Sequence, residues 1–224
     1  MKNKVIVILG QTATGKSDLA VKMALRLRSG RSGSEDPSGS MRSSTQKLRG
    51  AEIIPADSRQ VYKKLNIGTG KITKSEMHGV PHYLINIVEP NRKFSVSQYK
   101  KLADRKIKEI LSRGKTPIIC GGTGFYIDAV VNGQIFPEVP PNLALRRKLV
   151  QKPTIVVFRT LMKLDPKRAK NIDPNNKVRL IRAIEIAKAL GKVPKIKINE
   201  PKYDFIKIGL FLPKDKLRKN IEKR

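Results

Sequence analysis

The first regular feature of the chain is an unbroken apolar run, Val5 to Leu9, that stops at Gly10. Strands buried on both faces of a parallel sheet read as continuous apolar runs, so this segment predicts a central parallel strand. From Ser17 the period changes. Leu19, Ala20, Met23, Ala24 and Leu27 recur at three and four residues, which predicts a helix beginning where a glycine-rich turn ends. Ile53 to Ala56 predicts a short strand ending at Asp57, beside the first strand, and Tyr83 to Val88 predicts another. Ser95 stands at an N-cap position. Val96, Tyr99, Leu102, Ala103, Ile107, Ile110 and Leu111 then share one face of a helix that Gly114 ends. Pro117 to Cys120 is a further strand, and Gly121, Gly122, Thr123 and Gly124 form a tight loop before a helix running through Val131. Strands alternating with helices predict an α/β fold built on a doubly wound parallel sheet. Ligands of such sheets collect at the carboxyl ends of the strands, where Gly10, Asp57 and Gly121 fall.

Two stretches depart from this rhythm. Residues 29–50 are rich in Ser and Gly with no apolar period, and predict a flexible insertion. After Asn132 come Pro137, Pro140 and Pro141, a proline-rich connector, and then basic helical segments to about Leu190, with Gly191 as C-cap. Phe205 to Leu212 predicts a strand returning to the sheet, with a basic helix starting at Lys214. The expected organisation is a core over 1–136, a basic helical lobe over 137–200, and a return to the core over 201–224.

Charge changes the picture more than composition does. The 48 Lys and Arg outweigh 18 Asp and Glu, a net of +30, of which residues 141–224 carry +17. A polyanionic partner is expected, with the larger footprint on the second half of the chain. No apolar run approaches the roughly 20 residues of a membrane-spanning helix, so no membrane partner is expected. Met1 to Leu9 leads straight into a glycine-rich turn, unlike a cleavable signal peptide, and the single Cys120 makes neither an internal disulfide nor a cysteine-based zinc site. These features predict a soluble, cytoplasmic protein, and we expect a monomer.

The candidate chemistry begins with Gly10-Gln11-Thr12-Ala13-Thr14-Gly15-Lys16-Ser17, which satisfies G-x-x-x-x-G-K-[ST] between a buried strand and a helix. Such a P-loop curls backbone N–H groups around phosphate oxygens at a helix N-terminus. Lys16 adds a point charge and Ser17 a hydroxyl suited to Mg²⁺. The fold expected is therefore P-loop NTPase-like, binding a diphosphate or nucleotide. Asp57, at a strand end, is either a general base, a magnesium ligand or an ordinary helix N-cap.

GQTATGKS (10–17), ADSRQVY (56–62), IGTGK (67–71), GVPHYL (79–84) and CGGTGFYIDAV (120–130), followed by LDPKRAKNIDPNNKVRLIRAIEIAKALGK (164–192), resemble in order the tRNA dimethylallyltransferase family. The resemblance covers most of the chain. It implies transfer of a dimethylallyl group from dimethylallyl diphosphate to the N6 amine of an adenosine next to the tRNA anticodon, with Mg²⁺. The P-loop would hold the diphosphate, and Asp57 would be the base. Asp57, Ser58, Arg59 and Gln60 would contact the target nucleotide with Thr123, and Arg146, Arg179 and Arg182 would contact the tRNA. The family's Q-R-L-x-R stands here as Val178 to Arg182, without the glutamine. An arginine on the departing diphosphate aligns with Arg224. The resemblance also implies a chain shorter than usual at its C-terminus, with an insertion at 29–50 and an apolar, β-branched Lys152 to Met162 in place of a charged stretch. Rival readings are prenylation of a free adenine nucleotide, a P-loop kinase acting on a small molecule or nucleotide, and a truncated chain that only binds RNA.

Because the entropic cost of a loop grows slowly with its length, deletion of residues 30–49 is expected to leave folding intact. A loss of soluble protein on expressing the deletion would refute this.

Overall fold

A computed structural model describes residues 2–29 and 50–222; residues 30–49 of the predicted insertion and Arg224 lie outside the described residues. The described chain divides into two compact units, residues 1–134 with 199–224, and residues 135–198.

The first unit is built on four strands, β1 (Lys4–Gly10), β2 (Ala51–Pro55), β3 (Thr116–Gly121) and β6 (Asp204–Leu210). All pairings are parallel, in the order β2-β3-β1-β6. The apolar run of β1 serves both faces. Val5 and Val7 face α2 (Val96–Ser112) and α3 (Gly124–Val131), packing with Tyr99, Ile107, Ile110 and Ile127, while Ile6 and Ile8 face α1 (Lys16–Arg28), packing with Ala20, Val21 and Ala24. Helices on both faces make the sheet doubly wound. Ser95 begins α2 with a capping box, accepting from Gln98 N while the Gln98 side chain takes the Ser95 N–H. Tyr99 and Tyr126 stack at 4.1 Å, and the Tyr99 hydroxyl donates to the Pro55 carbonyl (3.2 Å), fastening both helices under the end of β2.

Two local expectations are corrected here. Tyr83 to Val88 forms no strand: His82 bridges Ile53 on the outer edge of β2, but Leu84 (φ 58°) and Asn86 (φ 56°) then turn into the left-handed region, which an extended strand cannot accommodate. Asp57 does not stand on the strand next to β1 either, because β3 lies between β2 and β1.

Unit two holds α4 (Leu143–Val150), α5 (Thr154–Leu164), α6 (Pro166–Ala169) and α7 (Lys177–Leu190); the short β4 (Gln134–Ile135) and β5 (Lys197–Ile198) pair where the chain enters and leaves it. Asn142, Asp165 and Asn176 cap α4, α6 and α7 by accepting from the backbone N of Leu145 (2.9 Å), Arg168 (2.9 Å) and Arg179 (3.1 Å). The β-branched text of α5 is helical all the same, because Val157 and Leu161, four apart, enter a core with Leu149, Leu180 and Ile184. On α7, Ile181 and Ile184 are buried, whereas Leu190 in the last turn is 51% exposed.

A buried ionic cluster ties β2 to the end of α2. Glu52 accepts from Lys115 Nζ (2.6 Å), the Tyr83 hydroxyl (2.7 Å) and Arg113 Nη2 (2.5 Å). Burial works to raise the Glu52 carboxyl, but these partners outweigh it and hold the group below the usual carboxylate range. A lowered folded value means that its stabilisation is present above the ordinary glutamate value and fades as pH falls through the folded one. Glu52→Gln is accordingly expected to cost about 1–3 kcal/mol near pH 7, with the gap from the parent narrowing as pH falls below the ordinary glutamate value. Urea midpoints across that range test this; a gap independent of pH would exclude it.

Candidate active site

Three loops leave the carboxyl ends of β1, β2 and β3 and meet around a cavity of about 530 Å³ within unit one. The closeness of their approach is set by a glycine. A Cβ on Gly121 would lie 2.1 Å from the Ala56 carbonyl oxygen, so no other residue leaves these backbones in place. Gly10 is constrained in the same way, with the Leu210 carbonyl 2.4 Å from where its Cβ would stand.

The P-loop runs from Gly10 through Ala13 (φ 61°) to Gly15, whose left-handed conformation (φ 84°) is the N-cap of α1. Thr14 Oγ1 donates to Gln11 O (2.8 Å), while Lys16 Nζ reaches back across the loop to Gln11 O and lies 3.3 Å from Thr14 Oγ1. These internal bonds occupy carbonyls and leave the amide N–H groups of the first turn of α1 for an anion. Asn220 of α8 (Lys214–Glu222) donates to Ala13 O (3.1 Å), bringing the last described helix against the same loop.

Asp57 follows β2, and its Oδ1 accepts from Arg59 N (2.8 Å) and Gln60 N (3.3 Å). This local bond fixes the turn and the rotamer, while Oδ2 accepts from no described residue. Thr123 joins the turn to the β3 loop: its Oγ1 accepts from Ser58 N (3.0 Å) and donates to Ser58 Oγ (3.4 Å), and its own N–H donates to Ala56 O (3.0 Å). Gln60 Nε2 points back to Gly70 O (3.4 Å).

Thr12, Ala13, Thr14, Gly15, Lys16, Ser17, Asp57 and Gln60 line the cavity, whereas Gly10, Gln11, Ser58, Arg59 and Thr123 are not among its lining residues. Arg146, Arg179 and Arg182 belong to unit two. There Arg146 and Arg182 are held on the buried Glu185, whereas Arg179 is exposed.

Sequence reading missed the remaining lining. Ile53, Pro55, Ile72 and Cys120 supply the apolar wall of the cavity, and Thr69, Glu76 and His82 line it as well. The only sequence signal for His82 was its place in GVPHYL. Burial lowers its pKa, with the bond to Val80 O partly opposing. The ring is thus neutral at pH 7, and since a carbonyl only accepts, Nδ1 carries the proton that bonds Val80 O (2.8 Å), leaving Nε2 as an acceptor. Burial pushes the Cys120 thiol up to about 12, so it is part of the wall and not a nucleophile. Among the described residues no cluster of three or more His, Cys, Asp or Glu could hold a metal, and no helix is long and apolar enough to cross a membrane.

Residues 60–224 match the family model described as IPP transferase. A tRNA dimethylallyltransferase of Halothermothrix orenii is 39% identical over 98% of this chain, which spans 63% of that relative's length. One from Anoxybacillus flavithermus is 38% identical over the whole chain and 66% of its own length. Among solved structures, a full-length tRNA isopentenylpyrophosphate transferase from Bacillus halodurans superposes with a TM-score of 0.60 at 35% identity, over 99% of this chain and 64% of that one. A eukaryotic dimethylallyltransferase acting on tRNA gives 0.73 at 27% identity, over 99% of this chain and 53% of that one. With three quarters of its length matched by the family model, and the P-loop that precedes the match opening into the same cavity, the chain belongs to the IPP transferase family.

Proposed function

We propose that the protein transfers a dimethylallyl group from dimethylallyl diphosphate to the N6 amine of an adenosine in tRNA, next to the anticodon. The observation that carries this reading is the meeting of a P-loop, a carboxylate and an apolar wall in one cavity of a chain of this family. Prenyl transfer to an amine needs each of the three.

The diphosphate lies against the N–H groups of the first turn of α1, with Lys16 swinging from Gln11 O to a phosphate oxygen. Ile53, Pro55, Ile72 and Cys120 receive the five-carbon tail. Asp57 Oδ2 faces the incoming adenine amine. As N6 bonds to C1 of the prenyl group, the C1–O bond to the diphosphate breaks, the bonding pair leaves with the diphosphate, and the proton lost from N6 passes to Asp57. Gln60, Ser58, Arg59 and Thr123 hold the base, and Arg224 is assigned to the leaving group. The donor set suits Mg²⁺: this ion keeps most of its waters and takes one or two protein oxygens beside phosphate oxygens, so the Ser17 hydroxyl suffices as its protein ligand. When bound it would neutralise charge developing on the leaving group. The basic lobe, with Arg146, Arg179 and Arg182, takes the tRNA backbone, and a cytoplasmic monomer is the form we assign.

Labelled dimethylallyl diphosphate with Mg²⁺ and tRNA is the direct test, with AMP and ATP as competing acceptors. Label should enter tRNA alone. Label in AMP would favour a free-nucleotide prenyltransferase, and turnover of ATP with a small acceptor would favour a kinase.

Two substitutions separate binding from chemistry. Lys16→Ala is expected to weaken diphosphate binding about tenfold to a hundredfold, the range of a charge-assisted hydrogen bond; titration calorimetry with inorganic pyrophosphate reads it directly. Asp57→Asn keeps the turn, since its amide oxygen still accepts from Arg59 N, and is expected to bind both substrates while single-turnover transfer falls about 10²- to 10⁴-fold. If added Mg²⁺ restored the rate, Asp57 would be a metal ligand; near-normal turnover at any Mg²⁺ would remove it from the chemistry altogether.

A further inference from the structure

Glu185, on α7, stands at the centre of unit two and is used by nothing in the reaction above. It is 3% exposed and accepts four hydrogen bonds: from Asn142 N (2.8 Å), Arg146 Nε (2.7 Å), Arg146 Nη2 (2.8 Å) and Arg182 Nη1 (3.2 Å). Arg182 Nη2 donates in addition to Val139 O (2.8 Å). One carboxylate thus takes Arg146 side-on through two parallel bonds, takes Arg182 from one turn earlier on its own helix, and holds the backbone at the start of α4. The arrangement is not sealed. The Arg146 and Arg182 side chains remain 27% and 35% exposed, and Nη1 of Arg146 and Nε of Arg182 donate to no described residue. Two guanidinium groups are therefore fixed in orientation around one buried acceptor, with donors left over, and the triad keeps a net charge of +1.

We infer that Glu185 is a positioning residue that pre-orients Arg146 and Arg182 as a paired guanidinium site for a phosphate of the RNA backbone. The inference rests on the tRNA reading given above. Guanidinium forks bind phosphate bidentately only when their planes are set, and a side chain already ordered loses less freedom on binding. Arg179, exposed and with its side chain on no described partner, supplies charge without orientation.

The sign of one substitution separates positioning from charge. Glu185→Gln removes a negative charge beside two arginines, so if Arg146 and Arg182 acted as charges alone, RNA would bind the variant more tightly. If Glu185 orients them, binding weakens although the protein has become more positive. We expect the Kd of Glu185→Gln for tRNA to rise about tenfold, with pyrophosphate affinity and the single-turnover rate at saturating tRNA unchanged, the separation expected of a residue in a lobe outside the cavity. Arg146→Lys keeps the charge and loses the two-point grip, and is expected to weaken tRNA binding similarly. Unchanged or tighter tRNA binding by Glu185→Gln overturns the inference, as does a parallel loss of pyrophosphate binding, which would mark a general disruption of the fold. Should Glu185→Gln not fold, Arg146→Lys decides alone: normal tRNA affinity overturns the inference. Failure of the parent protein to bind tRNA would instead strike at the functional reading itself.

Discussion

No side chain fits between Gly121 and the carbonyl of Ala56, and the site depends on that contact. β2 and β3 end side by side, Ala56 N bonds the Cys120 carbonyl (2.8 Å), and Thr123 N returns to Ala56 O. Any Cβ at 121 would push the two backbones apart at the point where both loops begin. The Asp57 turn would then lose its second fastening, because Thr123 Oγ1, which accepts from Ser58 N, is placed by the same bend. Asp57 is thus held by the backbone of its own turn on one side and by the β3 loop on the other. A carboxylate held this way needs little reorganisation to meet a substrate, which is where much of the advantage of a preformed polar site lies.

Electrostatics divides along the two units. In the cavity the groups that titrate near neutrality are held neutral: His82 by burial, and Cys120 by a thiol pushed far above pH 7. Lys16 shares the cavity with the carboxylates of Asp18, Asp57 and Glu76 and with the apolar Ile53, Pro55, Ile72 and Cys120. In the helical unit the opposite holds. Positive charge is abundant, and the structural question is which cations are oriented. Glu185 orients Arg146 and Arg182, at the expense of burying a carboxylate that only a full set of donors makes tolerable.

The legibility of the sequence follows the range of the interactions involved. β1, α1, α2 and β3 could be read because each is specified locally: a continuous apolar run, a 3.6-residue stripe, the Ser95 capping box, and glycines at the loop. The P-loop was legible for the same reason. Tyr83 to Val88 misled because apolar content says nothing about φ; Leu84 and Asn86 adopt left-handed backbone, and Asn86 Oδ1 there accepts from the buried Lys71 Nζ (2.5 Å), a partner fifteen residues away. The order β2-β3-β1 was equally hidden, since strand neighbours are chosen by crossovers and not by the strands' own composition. His82, Ile72 and Asn220 reach the cavity only through tertiary placement, and apart from the GVPHYL motif around His82 no local pattern marks them.

The segment Lys152 to Met162 shows how context decides a sequence of mixed propensity. Thr154, Ile155, Val156 and Val157 favour strands, yet a strand would alternate its apolar side chains between two faces, and this unit offers one buried face. As a helix, the segment sends Val157 and Leu161 into the core beside Leu180 and Ile184 and leaves Ile155 and Met162 outside. Pro153 sets the entry, its fixed φ compatible with the first turn, and Asp165 closes the exit while capping α6 through Arg168 N and holding Val193 N (2.8 Å). Propensity differences of a few tenths of a kcal/mol per residue are smaller than the burial of two large aliphatic side chains, about 1.5–3 kcal/mol each. The helix is the outcome because a strand would set Arg159 on the same face as Val157 and Leu161, whereas the helix turns Arg159 out to solvent.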